Sequence, residues 1–109
     1  MRTITILTKT DNGSTVDTVP HGTIAVQLPE NPTTGYRWKP DPADEKIVQL
    51  KSATYLAGGD PASVGEGGTR LFEFEAQAKG EAALRFKLMR EWEGDASAID
   101  RFEIRVVVR

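Results

Sequence analysis

The chain has 109 residues, no cysteine, and 14 basic against 16 acidic side chains, for a formal net charge of −2. That length fits one domain, 1–109, able to bury roughly two-thirds of the surface its unfolded chain exposes. Disulfides, thiolate catalysis, Cys-based zinc sites and iron–sulfur clusters are excluded, and the lack of a basic block argues against a nucleic-acid partner.

In chain order, the N-terminus Met1-Arg2-Thr3-Ile4-Thr5-Ile6-Leu7-Thr8 alternates apolar and polar residues. It lacks the continuous apolar stretch of a signal peptide, and no apolar run in the chain reaches the length of a membrane span. The expected location is the cytoplasm, unless the chain is a processed secreted or periplasmic form. Alternation predicts strands over 2–9, 15–19, 23–28, 36–39 and 46–56. Asp11-Asn12-Gly13 marks a turn after the first, and Asp41-Pro42-Ala43-Asp44 suggests a helical turn with proline in its first position.

Phe72, Phe74, Ala76 and Ala78 share one face of the next strand, with Glu73, Glu75 and Gln77 on the other. Lys79-Gly80 then reads as a two-residue hairpin turn into a strand that points Ala82, Leu84, Phe86 and Leu88 inward. The last strand buries Phe102, Ile104, Val106 and Val108. No segment sustains a 3.6-residue period. Seven to eight short strands with Gly/Pro punctuation predict an all-β, immunoglobulin-like antiparallel sandwich. Edge strands bearing Arg and Glu suggest a monomer.

Three long connections, 29–35, 57–68 and 91–98, are expected to gather at one end of such a sandwich, where a rigid scaffold presents binding residues. In the first, Pro29 and Pro32 each fix a φ angle and Gly35 allows a positive one. Its apex, Thr33-Thr34, is small, polar and uncharged, and a loop already rigid loses little entropy on entering a narrow cleft. The second connection is glycine-rich. In Gly65-Glu66-Gly67-Gly68 the third glycine of a dinucleotide fingerprint would fall at position 70, which is Arg70, a strand follows instead of a helix, and no Gly-Lys-Ser/Thr of a phosphate loop follows; it reads as a backbone platform or a plain surface loop. Arg90-Glu91-Trp92 leads into the third; its Arg/Trp composition resembles an interface hot spot, with capping of the core as the alternative for Trp92. Trp38 is expected in the core.

Catalysis has little to stand on. His21 is the only histidine, set in a Pro-His-Gly turn, and the carboxylates show no spacing that singles out an acid/base pair. No catalytic, metal or cofactor residue is assigned.

Asn31-Pro32-Thr33-Thr34-Gly35-Tyr36, then Gly65-Glu66-Gly67-Gly68 with Phe72 following, then Arg90-Glu91-Trp92, occur in an order and spacing that resemble the chagasin family of cysteine-peptidase inhibitors. The resemblance spans about the whole chain. It departs at Glu91, where the family pattern has proline, and more mildly at Tyr36, where it has phenylalanine. The resemblance implies a reversible, non-covalent inhibitor of papain-like cysteine peptidases with no cofactor and no catalysis of its own. It further implies that the 31–36 loop enters the active-site cleft while the segments holding Gly65–Gly68 and Arg90–Trp92 straddle it. The alternative is an immunoglobulin-like binding module for another protein or a glycan.

Overall fold

The computed structural model describes residues 3–57 and 67–109. Among these, eight strands form: β1 (Ile4–Thr8), β2 (Thr15–Thr18), β3 (Thr23–Glu30), β4 (Arg37–Pro40), β5 (Val48–Leu56), β6 (Gly68–Ala76), β7 (Gly80–Met89) and β8 (Asp100–Val108). They make two four-stranded sheets, ordered β1-β3-β6-β5 and β2-β8-β7-β4, packed face to face as a sandwich.

The core follows from the alternation. Ile24, Val26 and Leu28 of β3 and Phe72, Phe74 and Ala76 of β6 face Leu84 and Phe86 of β7 and Phe102, Ile104, Val106 and Val108 of β8. Phe86 ties the layers together, with ring centroids 5.0 Å from Phe72, 5.9 Å from Phe74 and 5.8 Å from Phe102. Such tilted and edge-on contacts suit the aromatic quadrupole better than flat stacking. Trp38 is buried as expected.

Several expectations need correction. Lys79-Gly80 is not a hairpin turn, because β6 and β7 belong to opposite sheets and the chain crosses between layers there. Ala78 lies outside both strands and is exposed. The sheets are also mixed, not wholly antiparallel: β1 runs parallel to β3, and β2 parallel to β8. Residues 41–44 form no helical turn; the turn comes later, over 45–47, where the amides of Ile47 and Val48 both donate to the Asp44 carbonyl at 3.0 and 2.9 Å.

Strand β3 runs two residues further than predicted, through Pro29 to Glu30. Proline is tolerated there because β1 ends opposite Gln27, so the missing amide donor meets an uncovered edge. Strands β3 and β5 both pair antiparallel with β6, so they run toward the same end. That end carries the connection 31–36, and the connection 90–99 after β7 meets it there.

Candidate functional site

The 31–36 connection is a short 3-10 turn, Pro32–Thr34, held by its own polar groups. Asn31 caps it: its Oδ1 accepts from the Thr33 amide at 3.1 Å and the Thr33 hydroxyl at 2.7 Å. The Thr34 hydroxyl donates to the Asn31 carbonyl at 2.8 Å and accepts from the Tyr36 amide at 3.2 Å. Both threonines therefore spend their hydroxyls within the turn, Thr33 on the Asn31 side chain and Thr34 on the backbone, while the apex stays exposed. Gly35 closes the turn at φ +80°, in the left-handed region.

Gly35 is also where two connections meet. A Cβ placed on it would sit 2.7 Å from Cη2 of Trp92, so the indole edge rests on bare backbone. Trp92 is nevertheless 72% exposed and does not cap the core. Arg90 ties the same connections together. Its guanidinium lies 4.5 Å from the Tyr36 ring centroid, its Nη2 donates to the Thr34 carbonyl at 3.4 Å, and its Nη1 pairs with Glu93 at 3.3 Å. Tyr36 is thus half-buried beneath Arg90. Ser97 staples the third connection, its hydroxyl accepting from the Arg90 amide at 3.0 Å and donating to the Gly94 carbonyl at 2.7 Å.

Glu91 opens the exposed 3-10 turn Glu91–Glu93. Of the second motif, Gly65 and Glu66 lie outside the described residues. Gly67 abuts the first connection, where a Cβ would come 2.5 Å from the Glu30 carbonyl oxygen and 3.0 Å from Asn31 Cα. Gly68 is the first residue of β6, packed against the Leu56 carbonyl and the Tyr55 hydroxyl. Both glycines let neighbouring backbones come close.

Two residues that the sequence reading passed over hold the base of this end. The Glu30 carboxylate is buried; its Oε1 accepts from the Trp38 amide at 2.7 Å, and its Oε2 accepts from Arg70 Nε at 3.0 Å and Nη2 at 2.6 Å. Arg70 in turn lies over the Tyr55 ring, 5.2 Å from its centroid. The Trp38 indole N–H donates to the Pro29 carbonyl at 2.7 Å. The two strands flanking the 31–36 turn are therefore clamped together from inside. Alternation carried the signal: two residues beyond Leu28 is Glu30, and two before Phe72 is Arg70, opposite charges on the inward faces of paired strands.

The arrangement is a wedge of small, rigid, mostly uncharged backbone beside an exposed indole. It can fill a slot, and among the described residues it brings together no acid/base pair or nucleophile with a base.

A family model described as "Chagasin family peptidase inhibitor I42" matches residues 20–106. Chagasin from Trypanosoma cruzi is 31% identical over 104 residues, covering 90% of this chain and 92% of that protein. The solved structure of the cysteine protease inhibitor EhICP2 from Entamoeba histolytica superposes with a TM-score of 0.89 at 26% identity, covering 99% of this chain and 97% of that one. PbICP-C, solved in complex with falcipain-2, shares the fold with a TM-score of 0.63 at 11% identity, over 100% of this chain and 92% of its own.

Proposed function

The chain belongs to the chagasin family of peptidase inhibitors, and from that premise we propose a reversible, non-covalent inhibitor of papain-like cysteine peptidases that works as a wedge. Kinship with chagasin and EhICP2 supports the class of target. The observation that carries the wedge reading is the junction of Trp92 with Gly35, which joins the Thr33-Thr34 apex to the third connection as one preformed surface. The 31–36 turn enters the cleft and covers the catalytic cysteine. Trp92 and Arg90 lie along one wall, and the segment holding Gly65, Glu66, Gly67 and Gly68 along the other. The apex is closed on itself by hydrogen bonds, so it does not offer a peptide bond in the extended form a peptidase cleaves. The chain performs no chemistry of its own; affinity comes from area and from preorganisation.

Titrating papain and a cathepsin L-type enzyme tests this. The expected result is stoichiometric inhibition that reverses on dilution, with the inhibitor recovered at its full mass. No inhibition of either enzyme at micromolar concentration would overturn it. Against a glycan-binding alternative, Tyr36 lies under Arg90, and among the described residues no flat aromatic stripe forms with Trp92.

Glu91 takes the first position of its 3-10 turn, where an amide donor has no acceptor within the turn and proline fits. Glu91→Pro is therefore expected to tighten inhibition about two- to fivefold by restricting the unbound connection. An unchanged or larger inhibition constant would show that the carboxylate itself contributes.

A further inference from the structure

Three of the four edge strands carry devices that discourage pairing with another chain. In β4 these are Arg37, Lys39 and Pro40; in β2, Asp17; in β5, Lys51 and a register irregularity between Leu50 and Ser52. Strand β1 has none. From Thr3 to Thr8 it holds no charge, proline or bulge, and Ile4 and Ile6 are each 60% exposed on the outer face of its sheet. The monomer expected from charged edges is thus argued by three edges and not by this one.

The backbone of β1 says what would fit. The Thr23 amide donates to the Thr3 carbonyl at 2.8 Å, and in a parallel ladder alternate residues face the same neighbour. Thr3, Thr5 and Leu7 therefore turn their amides and carbonyls toward β3, while those of Ile4 and Ile6 point out from the edge. The next outward amide, that of Thr8, is taken by Asp11 Oδ2 at 2.8 Å, which closes the open edge at that end.

We propose that β1 is a self-complementary edge that pairs antiparallel with β1 of a second copy, about a two-fold axis through Thr5. In that register Ile4 lies opposite Ile6 of the other copy and Ile6 opposite Ile4. These are the residues whose backbone groups face outward, so each pair exchanges both hydrogen bonds. Both isoleucine pairs meet on the outer face, and an uncharged strand meets itself without like-charge repulsion. Because β1 runs parallel to β3, it points toward the end that carries residues 31–36. Antiparallel pairing therefore directs the two wedge ends away from each other, and each copy keeps its binding end open. The contact is small, so the dimer is weak.

Sedimentation velocity of the full chain, from about 10 μM to about 1 mM, tests this, since a contact of this size holds only at high concentration. A shift from monomer toward dimer is expected across that range. Ile6→Lys removes two symmetry-related pairs and should raise the dissociation constant about tenfold or more, with the circular dichroism spectrum unchanged. Thr5→Cys, the only thiol in the chain, should form a disulfide-linked dimer under mild oxidation, while Ser52→Cys on the β5 edge should not. The linked dimer should titrate two molecules of peptidase. A strict monomer at the top concentration, a dimer indifferent to Ile6→Lys, or equal crosslinking from both cysteines overturns the proposal. None of the association or crosslinking readouts depends on inhibition, so their failure is distinguishable from failure of the wedge reading.

Discussion

Replacing Arg70 with alanine is expected to lower the free energy of unfolding by about 3–5 kcal/mol, the range for removing one partner of a buried ion pair. The Glu30 carboxylate is fully enclosed, with three donors converging on it: the Trp38 amide and two nitrogens of Arg70. Without the guanidinium, a charged group stays buried with one backbone amide for company. Water must then be drawn into the sandwich end to solvate it. Arg70 is itself mostly buried, so bulk salt screens the pair weakly, and the loss should change little between low and high ionic strength. Glu30→Gln should cost a similar amount, because its one amide oxygen can accept from Trp38 or from Arg70 but not both, and its NH2 then faces a donor. The double variant Glu30→Leu, Arg70→Met removes both charges together and should recover much of the single-variant loss, leaving the orphaned Trp38 amide as the main cost. Urea denaturation midpoints for the set decide the matter. An Arg70→Ala loss below about 1 kcal/mol, the range of an exposed pair, would mean that solvent reaches the carboxylate and that the clamp is not what positions the 31–36 turn.

The same clamp shows what could be read from the chain and what could not. Where a property is local, it was legible. The alternation over β6, β7 and β8 placed the core residues on the correct faces, Ala78 excepted, and Asn31-Pro32-Thr33-Thr34-Gly35 encodes its own cap, 3-10 turn and left-handed terminus within five residues. Where a property depends on which strands become neighbours, the local pattern is silent. Lys79-Gly80 between two alternating segments satisfies a hairpin and a crossing between sheets equally well, and the crossing is what forms. The parallel partners of β1 and β2 are likewise set by long-range pairing. Glu30 and Arg70 were readable in principle, since alternation carried past the hydrophobic run puts both inside. A charged residue at the end of a strand is ordinarily taken for its exposed terminus, which is how they were passed over. The meeting of Trp92 with Gly35 is the hardest to see from sequence. Each residue has a sufficient local explanation, and only the fold brings them into contact.

Trp92→Ala is expected to weaken inhibition about 30- to 1,000-fold, the span of a loss of about 2–4 kcal/mol at an interface hot spot. The reason lies in how the indole is held. An exposed tryptophan that hangs free loses rotational freedom when it binds, and this loss offsets part of the area it buries. Here the ring edge already rests on Gly35, and the same connection is pinned by Arg90 to the Thr34 carbonyl and the Tyr36 ring. The rest of the ring stands clear of the protein. Covering that area in a peptidase cleft, at about 25 cal/mol per Å², is worth several kcal/mol before binding costs are deducted. Because the residue lies outside the core, its loss should change unfolding free energy by no more than about 0.5 kcal/mol. Thr34→Ala acts differently. It deletes the hydroxyl that bonds the Asn31 carbonyl and the Tyr36 amide, so it loosens the apex itself. Since Arg90 and Gly35 link the two sites, the double variant should lose less than the sum of the single losses. Inhibition constants for the two single variants and the double, read beside their denaturation midpoints, separate the possibilities. Intact inhibition in the double variant would remove both residues from the interface and with them the wedge. A large loss matched by an equal loss of stability would make Trp92 a folding residue. A large loss at constant stability is the result the geometry requires.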